Sequence, residues 1–163
     1  IGPMSTDAPF VYGVDLAKSQ DWTVIIGLDS SNRVCFFERF QLPWVEQRKK
    51  LIETIGSTDC VIDSTGVGDP ITEDLQRVLP RVEGFKFSST SKQQLMELLS
   101  TKISTKGVTY PDGDIVRELE QFEYEYSRTG VKYSSPPGLH DDCVMALALA
   151  LRGQQNVPGL GVW

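Results

Sequence analysis

Asp15 sits inside the run Phe10-Val11-Tyr12-Gly13-Val14-Asp15-Leu16-Ala17, whose β-branched and aromatic content predicts a strand. Period two places Val11, Gly13, Asp15 and Ala17 on one face. An ionised carboxylate among such neighbours costs several kcal/mol unless something pairs with it. A bound cation is one solution; backbone N–H donors from the following turn are another. Asp63 repeats the pattern at the end of Cys60-Val61-Ile62-Asp63, just before the loop Ser64-Thr65-Gly66-Val67-Gly68. Ligands of open α/β sheets bind outside such strand ends, although an Asp there also starts turns. The third acidic element is His140-Asp141-Asp142, which contains the chain's single His and leads directly into an apolar segment. A helix N-cap accounts for one of these acids. Both would lie at the positive end of the helix dipole, on a rigidly anchored helix.

Hard divalent cations take oxygen ligands and keep water and substrate phosphate in their shells. Three or four converging carboxylates can hold two such ions about 3.5 to 4 Å apart, one activating water and one stabilising the leaving oxygen. That chemistry hydrolyses phosphodiesters without a Ser, Cys or His nucleophile. Asp69, before Pro70, reads instead as a helix cap.

The elements that must position these acids follow from the apolar pattern. Residues 10–17, 22–28 and 33–40 read as three antiparallel strands, with Asp29-Ser30-Ser31-Asn32 as turn residues between the last two. After Pro43 an amphipathic helix runs to Ile55, stopped by Gly56, with Arg48-Lys49-Lys50 on it. Residues 60–63 suit a buried parallel strand. A helix at 71–79, a strand at 82–87 and a helix at about 91–106 follow, the last capped from Ser88 to Thr90. Residues 112–126 read as helical and later extended, with 124–128 and 131–134 forming a hairpin across Thr129-Gly130. Residues 142–152 are apolar nearly all round, which predicts a helix buried on most sides. The whole is α/β: a mixed sheet of three antiparallel strands followed by parallel strands, with helices on both faces.

The 163 residues suffice for one domain with a full core. Ile1-Gly2-Pro3 ahead of Met4 reads as an expression scar, residues 4–152 as the domain and 153–163, rich in Gly and ending on Trp163, as a flexible tail. No apolar run reaches the roughly 20 residues of a membrane span, and no secretion signal is evident, so a soluble, intracellular domain is expected. Cys35, Cys60 and Cys143 are too scattered for a metal knuckle and are expected to be buried reduced thiols. The net charge is −6, with 16 Lys and Arg against 22 Asp and Glu. That sign opposes autonomous DNA binding, since phosphate neutralisation supplies most non-specific affinity. Bound cations or a neighbouring domain would have to compensate.

Together, Gly13-Val14-Asp15-Leu16-Ala17 with Asp21-Trp22-Thr23, then Val61-Ile62-Asp63-Ser64-Thr65-Gly66, and His140-Asp141-Asp142 before an Ala/Leu-rich helix resemble the nuclease domains of phage large terminase subunits. The resemblance covers nearly the whole chain. It implies a ribonuclease H-like fold and a two-metal mechanism with magnesium or manganese, acting on double-stranded DNA during viral genome packaging in the host cytoplasm. Asp15, Asp63 and Asp142 would be catalytic metal ligands, with Asp141 an auxiliary ligand or a carboxylate behind the ligands, and Asp21 a recurring position of less definite role. The implied partners are an ATPase domain of the same full-length chain, the portal and the small terminase subunit. No phosphate-binding Gly-x-x-x-x-Gly-Lys-Ser/Thr motif is present here. Candidate phosphate contacts are Arg48, Lys49, Lys50, Lys92, Arg128 and Lys132, with Lys86 and Lys102 beside them; for each, a solvated surface charge is the competing reading. Tyr124, Tyr126 and Tyr133 are candidates for DNA contact or for core packing.

Three other readings share parts of the pattern. A Holliday-junction resolvase or transposase of the same fold would use the same acids. Actin-like ATP-binding domains also carry Gly-x-Asp and an Asp before a Gly-rich turn, but need two such domains to enclose a nucleotide. A silent interaction module of this fold would have little use for the complete acid set.

Overall fold

The computed structural model describes residues 1–16, 22–63, 69–129 and 142–155, with side chains apart from those of 69, 70, 89 and 122–129. Three strands, β1 (Val11–Asp15), β2 (Thr23–Leu28) and β3 (Val34–Phe40), form an antiparallel meander. Helix α1 (Trp44–Ile55) carries the chain from the β3 edge to β4 (Asp59–Asp63), which pairs parallel with β1. After α2 (Asp69–Val78), β5 (Val82–Phe85) adds parallel to β4. The sheet order is β3-β2-β1-β4-β5. Helices α3 (Ser89–Ser104), α4 (Asp114–Thr129) and α5 (Asp142–Gln155) complete the chain.

Strand alternation divides the core in two. Tyr12, Val14, Ile25, Cys60 and Ile62 pack against Leu51 and Ile55 of α1, Leu75 of α2 and Leu79 just after it. The opposite face, Val11, Val24, Ile26, Leu28 and Val61, packs against α5 and the inner residues of α3 and α4. Helix α5 lies on β1, β2 and β4 and is covered by α3 and α4. Every residue from Cys143 to Leu151 is therefore buried, which explains why its sequence shows no polar face. Glycine allows the close approach: a Cβ on Gly13 would run into the Ala146 carbonyl oxygen and the Ala150 amide nitrogen.

The mixed sheet and the two helical layers match the expected architecture, with three differences. Residues 124–128 are helical, within α4, rather than a hairpin strand; the spacing of Ile115, Leu119, Phe122 and Tyr126 continues a helical stripe that outweighs local alternation. The proposed partner strand at 131–134 lies outside the described residues. Helix α5 extends to Gln155, so Gly153 and Gln154 belong to the packed domain rather than the tail. Gly153 abuts Val11, and Gln154 Nε2 donates to the carbonyls of Asp29 at 3.3 Å and Ser30 at 3.2 Å. All three thiols are free and Cys60 and Cys143 are buried, but Cys35, on edge strand β3, is only partly so. Among the described residues no helix is long and apolar enough to cross a membrane.

Candidate active site

Asp15 and Asp63 are the last residues of β1 and β4 and are register partners across that parallel pair. Neighbouring strands lie about 4.8 Å apart, and both side chains rise from the sheet face that α5 covers. They are 7% and 6% exposed. Two acids brought side by side at a sheet's carboxyl edge repel each other and are costly to desolvate. A divalent cation between them answers both costs, and an all-oxygen donor set suits magnesium or manganese.

Asp142 opens α5 and is half-buried. Its height relative to Asp15 follows from the Gly13 contact. Ala146 is one helical turn, about 6 Å, from Asp142, and Asp15 is two strand residues, about 6.6 Å, from Gly13. Val11, further back along β1, meets Gly153 near the other end of α5. The helix therefore runs antiparallel to β1 and delivers its amino terminus, with Asp142, to the edge where Asp15 and Asp63 end. Among the described residues no three His, Cys, Asp or Glu side chains form a closed metal-ligand cluster. Asp21, His140 and Asp141 lie outside the described residues.

Two further charged groups stand at this edge. Glu118, on α4, is 7% exposed, and its Oε1 accepts the backbone N–H of Cys143 at 2.8 Å and of Val144 at 3.4 Å. Burial pushes its carboxyl upward, the Cys143 and Val144 bonds oppose this, and the Asp142 charge adds to the rise; the net shift is upward. Burial, reinforced by Glu118, likewise pushes the Cys143 thiol up, so it is an inert core group rather than a nucleophile. Arg39, on β3, holds its guanidinium 4.2 Å from the centre of the Trp22 ring. Sequence reasoning missed both. Glu118 had a visible signal, an acid three residues from Ile115 and four from Phe122 on the apolar stripe of α4.

The basic candidates are dispersed. Arg48 binds Asp74 at 2.6 Å and Lys50 binds Glu38 at 2.9 Å, and with exposed Lys49 they sit on α1, which packs on the opposite face from the acids. The structure does not bring this cluster to the acidic edge. Lys86 immediately follows Phe85, the register partner of Asp63, while Lys92 lies in the first turns of α3 and Lys102 in its last. Arg128 is within α4, its side chain outside the described set, as are Lys132 and Tyr133 and the side chains of Tyr124 and Tyr126.

The chain is 31% identical to the large terminase nuclease of thermophilic phage G20c, with a TM-score of 0.71 over 91% of this chain and 84% of that one. It belongs to the large terminase nuclease family. The magnesium-bound form of the same G20c nuclease matches at 32% identity and TM-score 0.74, over 91% of this chain and 83% of that one. The large terminase subunit of Thermus virus P23-45 is 33% identical over 94% of this chain. The chain spans about a third of the length of the curated relatives it matches. No protein-family model matches it. The human cytomegalovirus terminase nuclease domain, 10% identical with a TM-score of 0.57 over 94% of this chain and 86% of that one, shares the fold. That fold is the ribonuclease H-like mixed sheet. The G20c nuclease has been crystallised with magnesium, zinc and cobalt.

Proposed function

We propose that this large terminase nuclease domain is a divalent-metal-dependent endonuclease that cuts double-stranded DNA during viral genome packaging, with Asp15, Asp63 and Asp142 as its catalytic metal ligands. The observation that carries the reading is the register pairing of two buried carboxylates, Asp15 and Asp63, at one sheet edge. The metal-bound forms of the G20c nuclease support it.

When bound, two magnesium or manganese ions supply an activated water and stabilise the leaving oxygen of the scissile phosphodiester. Asp15 and Asp63 offer adjacent ligand oxygens from rigid strands. Asp142 approaches from α5, which is anchored along its length by the core, so ligand geometry is set before DNA arrives. Asp141 would add an auxiliary carboxylate. The net charge of −6 leaves the isolated domain with weak DNA affinity, so cutting depends on the ATPase domain of the full-length chain, the portal and the small subunit to present DNA in the host cytoplasm.

Nicking of plasmid and linear duplex with magnesium or manganese tests this, comparing the native chain with Asp15→Asn and Asp63→Asn. Both variants should fold and lose cleavage. Wild-type cleavage by either rules out the proposed site, and strong preference for four-way junctions over linear duplex rules out the packaging role.

A further inference from the structure

Arg39 is the register partner of Val24, Val24 that of Asp15, and Asp15 that of Asp63. These four residues form one row across the sheet, so their side chains share the face covered by α5. Arg33, Arg48, Arg81, Arg117 and Arg152 each face a carboxylate. Arg39 forms no ion pair among the described residues, and its buried Nε has no hydrogen-bond partner. Its guanidinium is instead stacked on Trp22. Among the described residues Arg39 is thus a partly buried arginine that no carboxylate holds, two strands from Asp15.

We propose that Arg39 is a phosphate-binding residue of the DNA track, holding a backbone phosphate on the β3 side of the acidic pair. The Trp22 ring lies against the guanidinium and Nε is buried, so the terminal N–H groups are the ones placed to donate to phosphate oxygens. Lysine has the charge but neither the plane nor the stack. The assignment rests on the nuclease reading for its substrate.

The test measures duplex-DNA binding by fluorescence anisotropy from low to moderate salt for the native chain, Arg39→Gln and Arg39→Lys, and magnesium binding by calorimetry for all three. Arg39→Gln should weaken DNA binding about tenfold and reduce the slope of log K against log salt by about 0.9, the loss of one phosphate contact. Arg39→Lys should keep the slope and lose part of the affinity. Magnesium affinity should be unchanged in both. Unaltered DNA affinity and slope in Arg39→Gln overturn the proposal, as does absence of duplex binding by the native chain at low salt. Loss of thermal stability without a change in slope assigns the Trp22 stack to folding alone and also overturns it. Failure of the native chain to bind magnesium would instead count against the nuclease reading, while the salt slope still decides the role of Arg39.

Discussion

The Glu118 carboxylate, on α4, accepts the backbone N–H of Cys143, the residue that follows Asp142 in α5, at 2.8 Å. An amide at a helix start has no intrahelical acceptor, and this one is buried. Glu118→Ala should cost about 2 kcal/mol in urea unfolding, the usual penalty for stranding a buried donor. It should also weaken magnesium binding by freeing the turn that carries Asp142. Glu118→Gln keeps an acceptor oxygen and should retain both properties. A glutamine variant as weak in magnesium binding as the alanine one would show that the charge matters rather than the acceptor.

This contact also marks where sequence reading stops. The strands announce themselves by β-branched runs, and α5 by its lack of a polar face, because both signals are local. Asp15 and Asp63 are visible singly as acids at strand ends. Their partnership depends on β1 and β4 pairing in parallel with one register, which no local pattern encodes. Arg48 looked free because its partner Asp74 is on another helix. Arg39 carries no local signal, since its relation to Trp22 and Asp15 needs three paired strands.

Asp15 and Asp63 make metal removal a stability experiment. Two buried carboxylates stand side by side at one sheet edge, and a cation bound between them adds its binding free energy to the folded state. Magnesium at a hundredfold excess over its dissociation constant should stabilise the native chain by about 2.7 kcal/mol and Asp63→Asn far less. An equal metal-induced rise in both, followed by scanning calorimetry, would place the cation elsewhere.

Asp29 predicts an acid-side stability loss unrelated to the metal. Burial alone would raise its carboxyl, but the Ser5 hydroxyl, the Arg33 and Ser31 amides and the Arg33 guanidinium more than offset this, and the net shift is downward from 3.8. A depressed acid contributes stability that is full above its unfolded value and disappears as pH falls through its folded one. Asp29→Asn should therefore be less stable than the native chain by about 2 kcal/mol at pH 7. The gap should close below the unfolded value of 3.8. Urea midpoints measured from pH 7 down to 3 give both quantities; a gap that stays constant would deny Asp29 its depressed value.

Gly13 separates packing from chemistry. A Cβ there would meet backbone atoms of Ala146 and Ala150, which cannot rotate away, so Gly13→Ala forces α5 off β1. Overpacking usually costs about 1 to 3 kcal/mol, and a backbone obstacle belongs at or above the upper end. A Cβ at Gly153 meets side-chain atoms instead, Val11 Cγ2 at 2.6 Å and Val61 Cγ2 at 3.0 Å, so Gly153→Ala should lose less. Because α5 carries Asp142, Gly13→Ala should also weaken magnesium binding in whatever fraction remains folded, although position 13 carries no ligand. Chemical denaturation ranks the two variants, and calorimetry at a temperature where both are folded reads the metal. Native affinity in a destabilised Gly13→Ala would mean that the height of α5 over β1 does not set the site.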